Sequence, residues 1–306
     1  MSHTSSHARR DAILGVIFAL LAAIGFSGKA ILVKLAYLDQ VDAVTLLALR
    51  MLFSVPVFIG IAVWSAWRHE TPLTRHDRLL VLALGLLGYY LSSLLDFLGL
   101  QYISAGLERL ILFLYPTMTV LLLALLQRRA IGRRIKAALA LSYAGIALVF
   151  VHDASLQGEG VVLGATLVFL STLSYSLYLV GAGHAIRRIG TTRFTAYAMI
   201  VASAACVLQF ALTHPLQDLA LPGRVYGLAL AMAVFSTVLP VFLLSYAIRR
   251  IGSGSASLIG SVGPISTIFM AYLFLGEHIS LLQIAGSALV LAGVFVVSLQ
   301  TRREAG

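Results

Sequence analysis

Residues 103–126, ISAGLERLILFLYPTMTVLLLALL, and residues 251–274, IGSGSASLIGSVGPISTIFMAYLF, decide the fold once one is laid over the other. A shift of 148 aligns 103–151 with 251–299 without a gap, and 14 of the 49 positions are identical. The coincidences include Ile103/Ile251, Gly106/Gly254, Leu110/Leu258, Pro116/Pro264, Thr119/Thr267, Ala144/Ala292 and Gly145/Gly293. A shift of 149 pairs Leu14-Gly15 with Leu163-Gly164. Prolines and glycines set backbone geometry, so their agreement in register carries more than shared leucines do. The chain reads as one unit written twice.

Each unit is built for lipid. The 306 residues are 60% hydrophobic and 11% charged, with mean hydropathy +0.97. Soluble domains run about 45–50% apolar and about 25% charged, and so few charges could not cover this much apolar surface. Ten apolar runs reach the roughly 20 residues that a helix needs to cross a hydrocarbon core. They lie near 12–34, 43–67, 79–101, 104–127, 133–152, 159–184, 194–213, 225–248, 252–275 and 279–299. Only helices satisfy every backbone polar group within such runs. The expected class is therefore an all-α membrane protein of ten transmembrane helices. The expected organisation is a tail (1–11), a first repeat of five spans (12–152), a second (158–300) and a tail (301–306).

Charge gives direction. The net charge is +10, and 17 of the 22 Lys and Arg fall in every second inter-span segment: Arg9 and Arg10, Arg68 to Arg78, Arg128 to Lys136, Arg187 to Arg193, Arg249 and Arg250, Arg302 and Arg303. The alternate segments carry Asp39, Asp42, Asp153, Glu159, Asp218 and Glu277. By the positive-inside rule both termini are cytoplasmic. Five is odd, so the second unit enters from the opposite face, giving an inverted-topology repeat with a site expected where the repeats meet. No basic stripe with interleaved aromatics is present, so nucleic acid is not an expected partner. The apolar stretch after MSHTSSHARR exceeds a signal-peptide core and reads as a retained first span.

These stretches, together with GVIFALLAAIGFSGKAILVKL (15–35), TLLALRMLFSVPV (45–57) and QIAGSALVLAGVFVVS (283–298), resemble the EamA-type branch of the drug/metabolite transporter (DMT) superfamily across nearly the whole chain. The resemblance implies a ten-helix transporter of the cell (inner) membrane, working by alternating access, often exporting amino acids or related metabolites, with a monomer sufficient. One departure stands out: the second unit has the family's acidic residue, Glu277, where the first reads ALLQRRAIGRR (124–134).

Lys29, Arg50, Asp96, Glu108 and Arg109 are ionisable residues inside spans, all about 5–7 residues from the same membrane face, one layer roughly 7–10 Å deep at about 1.5 Å per residue. Charges at that depth should face protein or water and pair. They fit either a salt-bridge network pinning spans 1 to 4 or a substrate pathway. Arg50, near a span end, can also snorkel. Helical spacing groups Tyr89, Ser92, Ser93 and Asp96; Glu108, Tyr115 and Thr119; Ser171, Ser174, Tyr175 and Tyr178; and Ser253, Ser257 and Ser261. Serine stripes serve either helix packing or a ligand. Glu108 and Arg109 point about 100° apart, so which of them faces a cavity stays open. The expected substrate-binding set is Lys29, Tyr89, Asp96, Glu108, Arg109, Tyr115, Tyr175, Tyr178 and Ser257, with Pro116 and Pro264 as hinges.

In the repeat register Lys29 matches Tyr178, Asp96 matches Leu244 and Glu108 matches Ala256, so one wall is charged and the other aromatic and hydroxylic. That suits a small zwitterion such as an amino acid. The alternatives are a broad-specificity drug or toxic-compound exporter and a channel-like facilitator. Small residues at Ala137, Ala140, Ala144 and Gly145, matched by Ala285, Ala288, Ala292 and Gly293, pack the halves together or form a dimer seam. An enzyme is not expected: the histidines lack metal-ligand spacing, and neither cofactor nor metal is called for. Cys206, the single cysteine, cannot form an intrachain disulfide.

Overall fold

A computed structural model describes residues 2–68, 72–128, 130–157 and 160–304. Arg129 and Glu159 lie outside them. The helices are α1 (Ser2–Tyr37), α2 (Ala43–Arg68), α3 (Arg75–Gly85), α4 (Ser92–Gly99), α5 (Ala105–Leu112), α6 (Tyr115–Leu126), α7 (Arg133–Gln157), α8 (Val161–Ile189), α9 (Thr191–Thr213), α10 (Gly223–Ala233), α11 (Leu239–Gly260), α12 (Val262–Leu275) and α13 (Leu281–Glu304). A π-helical turn, Leu86–Leu91, joins α3 to α4, and another, Val234–Val238, joins α10 to α11. Eight segments are long and apolar enough to cross a membrane, and Val262–Leu275 and Leu281–Val296 are shorter apolar helices. The two repeats thus supply the ten expected spans. The segments expected as tails are helical as far as they are described, from Ser2 in α1 and to Glu304 in α13.

Local sequence fixes the helix ends. Thr74 and Asp77 form a reciprocal capping box at α3, Ser104 caps α5 through the Leu107 amide at 3.0 Å, and Asp42 accepts from the Val44 and Thr45 amides at α2. The α12 helix stops at Gly276, whose φ of 67° suits a residue without Cβ.

Each repeat packs on the other. The α1 helix lies against α11 and α12, while α8 lies against α4, α5 and α6; α2 faces α9, and α7 faces α13. In the last pair a Cβ on Gly145 would stand 2.5 Å from the Gly286 carbonyl oxygen, and one on Gly293 would stand 2.5 Å from that of Ala138. The small-residue faces of spans 5 and 10 therefore meet within the chain, as close-packed membrane helices do.

The boundary expected between spans 8 and 9 is not a loop. Arg249 and Arg250 lie within α11, and the order of the chain's neighbours on α1 changes after Ile251. Gly25 of α1 sits against Phe235 and Pro240, Gly15 against Arg250 and Ile251, and Ser27 donates to the Gly263 carbonyl at 2.9 Å. The chain thus passes down α1 and back up it.

The expected proline interruptions are present. Span 4 breaks at Phe113 and Leu114, just before Tyr115-Pro116, and span 9 breaks at Ser261, three residues before Pro264. Hydroxyls from the other repeat serve both breaks. Thr172 and Ser176 of α8 donate to the Ile111 and Tyr115 carbonyls, and Ser27 of α1 donates to Gly263. Freed carbonyls in a membrane need such partners.

Candidate substrate chamber between the repeats

The π turns occupy equivalent positions, because adding the repeat shift of 148 to Leu86 gives Val234. A π turn displaces the backbone by one residue and so redirects side chains. Gly88 and Tyr89 on the first turn, and their counterparts Ser236 and Thr237 on the second, all line one cavity of about 390 Å³. Gly88 is required: a Cβ there would fall 2.2 Å from the Tyr178 ring. Ser174 of α8 donates to the Leu87 carbonyl at 2.7 Å, and Ser171 donates to that of Ser92 at 2.7 Å. The α8 serine stripe therefore spends its hydroxyls on helix packing, although Ser171 still borders the cavity.

The charged layer assembles on one side. Lys29 Nζ bonds to Glu108 Oε1 at 2.8 Å and to Asp96 Oδ2, tying α1, α4 and α5 together. Glu108 is fully buried behind Lys29 and does not line the cavity, whereas Arg109 does. The 100° step between these neighbours is thereby resolved in favour of Arg109. Its guanidinium reaches Ser27 Oγ at 3.4 Å and presses on α12, where a Cβ at Gly263 would stand 2.7 Å from Nη2. Arg50 does not snorkel. It is 8% exposed, its Nε donates to Thr237 Oγ1 at 3.0 Å, and its guanidinium stands 5.5 Å from the centroid of the Phe97 ring. Among the described residues neither arginine has a carboxylate within ion-pair distance. Arg50 Nη1, Arg109 Nε, Asp96 Oδ1 and Glu108 Oε2 are buried without hydrogen-bond partners. Such groups are costly to leave unmatched in a low-dielectric interior.

The facing wall is aromatic. Tyr115 meets Tyr175 edge-on at 5.7 Å, and Tyr175 stacks on Tyr178 at 5.5 Å. Tyr89, Tyr115 and Tyr175 line the cavity, but Tyr178 stands behind it, its hydroxyl 2.9 Å from that of Tyr89. The Ser253 and Ser257 side chains lie outside those described. Pro116 and Pro264 flank the helix breaks without lining the cavity. From the layer of Lys29 and Asp96 the chamber runs past Ala23, Ala22 and Ala19, and past Val241, Leu244 and Ile248 of the adjoining α11, toward the end bearing Arg249 and Arg250. Sequence reasoning left Arg50 undecided and missed Thr237. The first was visible as a charge in a span, but the second becomes visible only when the π turns are superposed. Among the described residues no cluster of three or more His, Cys, Asp or Glu could hold a metal.

Comparison with known proteins agrees with this architecture. The model of the EamA-like transporter family matches twice, at residues 13–151 and 162–299. The chain is 34% identical to the uncharacterized transporter YcbK of Bacillus subtilis, over 94% of this chain and 92% of that one. It is 22% identical to the uncharacterized inner membrane transporter YicL of Salmonella typhimurium, over 95% and 97% of the two chains. A solved crystal structure superposes with a TM-score of 0.64 at 18% identity, covering 95% of this chain and 99% of its own, a likeness of fold alone.

Proposed function

The chain belongs to the EamA-like transporter family, and from that membership we propose that it exports amino acids or similar small zwitterionic metabolites across the cell membrane. The observation that carries this reading is the pairing of spare hydrogen-bonding capacity of both signs on one wall. Asp96 Oδ1, Arg50 Nη1 and Arg109 Nε lack partners, and all three residues border the chamber. A substrate ammonium satisfies the first and a carboxylate the others, while Phe26, Phe113 and Tyr175 receive a variable, partly apolar tail.

The two repeats act as inverted halves that rock about this chamber, with the breaks at Pro116 and Pro264 absorbing the motion. The arginine-rich end, toward which the cavity runs, is the cytoplasmic end, and both termini lie on that side. A lipophilic cation with no anionic group meets a layer in which Lys29, Arg50 and Arg109 outnumber Asp96 and Glu108, which disfavours a drug-cation exporter. Uptake of labelled amino acids into proteoliposomes tests the proposal: saturable uptake of at least one is expected, and transport of lipophilic cations alone would contradict it.

A further inference from the structure

We propose that Arg50 is the anchor for the substrate's carboxylate and that Thr237 is its positioning residue across the repeat interface. This deepens the zwitterion reading above and rests on it.

Arg50 comes from α2 of the first repeat, and Thr237 from the π turn of the second. The Thr237 hydroxyl is committed in both senses: it donates to the Met232 carbonyl at 3.1 Å and accepts from Arg50 Nε at 3.0 Å. That leaves it one orientation, which fixes the inner edge of the guanidinium. Phe97, fully buried, covers one guanidinium face at 5.5 Å from its centroid. With Nε and one face occupied, the terminal nitrogens are the part left for a ligand, and Nη1 is buried with no partner. A planar fork of N–H donors matches a carboxylate or a phosphate through paired bonds, and a zwitterionic metabolite of the class proposed above supplies the carboxylate. Arg109 is the weaker candidate, because its fork is lodged between Ser27 and Gly263 at the break in span 9. The arrangement gives the second repeat, which among the described residues contributes no charged side chain to the chamber, a direct hold on recognition.

The test reads ligand protection of the purified protein against thermal unfolding in detergent. The probes are the twenty proteinogenic L-amino acids, each beside its carboxamide, and hexanoate as a bare carboxylate. For the wild type, at least one amino acid binds, and its carboxamide binds at least about tenfold more weakly, as loss of a charge-assisted pair implies. Arg50→Gln lowers amino-acid affinity to that of the carboxamide and leaves the carboxamide itself unchanged, which a merely structural role would not do. Thr237→Val moves the ratio the same way by about threefold to tenfold, and Thr237→Ser restores it.

If Arg50→Gln keeps the wild-type preference for acid over amide, the anchor is overturned while the zwitterion reading stands. If that variant fails to fold, the Thr237→Val ratio decides in the same way. Binding of hexanoate but of no amino acid, abolished in Arg50→Gln, keeps the anchor and overturns the zwitterion reading. No carboxylate binding at all overturns both.

Discussion

The two π turns share a position in the repeat and differ in what they carry. On the first, Gly88 yields space to the Tyr178 ring and Tyr89 joins the aromatic wall. On the second, Ser236 stands against Gly28 of α1 and Thr237 orients Arg50. The same division holds across the chamber. Among the described residues its charged side chains come from the first repeat, and the second supplies hydroxyl, aromatic and aliphatic surface. A duplicated backbone has kept its breaks, bulges and close contacts while its two copies split the chemistry between them. Substitutions that exchange character between equivalent positions should therefore have unequal effects.

The largest is expected at Lys29. Lys29→Met leaves Asp96 and Glu108 buried without their cation, and breaking a buried ion pair costs about 3–5 kcal/mol. The Lys29→Met, Asp96→Asn, Glu108→Gln triple variant should recover most of that loss, as read by unfolding in detergent. Recovery would assign the triad to charge compensation, and failure would make Lys29 indispensable for packing.

Next comes Gly88→Ser, which copies Ser236 onto the first turn. It drives a side chain into Tyr178, and such overpacking typically costs about 1–3 kcal/mol. The reciprocal Ser236→Gly opens space and should cost less than about 1 kcal/mol. A melting-temperature comparison of the pair checks this, and equal shifts would dissolve the distinction between the turns.

Tyr178→Phe, at the position matching Lys29, removes only the hydroxyl pair with Tyr89, with an expected cost of about 0.5–1.5 kcal/mol. It should leave transport in place, since Tyr178 stands behind the wall. A loss of uptake matching that of Lys29→Met would return Tyr178 to the binding set.

The smallest effect concerns Glu277, which has no acidic counterpart in the first repeat. Burial at the turn between α12 and α13 pushes its carboxyl above the usual carboxylate range, against the Ala105 amide, which donates to it at 3.1 Å, and the charge of Lys34. The folded protein therefore holds this proton more tightly than the unfolded chain does. Its contribution to stability is fullest below the unfolded value of about 4.3 and falls as pH rises through the folded one. Glu277→Gln should flatten that slope in melting temperature measured from acid to neutral pH. A slope unchanged by the substitution would place its origin elsewhere.

Much of the fold was legible from periodicity and charge, because lipid forces long apolar helices and prolines announce where they break. Lys29, Asp96, Glu108 and Arg109 could be placed in one layer by counting residues along helices. Their facing could not, since neighbours 100° apart are distinguished only by what packs against them. The π turns left no trace because one added residue needs neither proline nor glycine as a marker. Thr237 was hidden for that reason, and Arg50 stayed open because depth along a helix does not reveal a partner on another. The sequence marks Arg249 and Arg250 as a segment between spans, and nothing in their identity shows that both lie within α11.

Counterflow in proteoliposomes tests most directly whether the chamber between the repeats carries amino acids. Vesicles loaded with an unlabelled amino acid should transiently accumulate its labelled form from outside, saturably, and Arg50→Gln should abolish the overshoot. A flux that rises linearly with concentration, or an overshoot obtained only with lipophilic cations, would contradict the account.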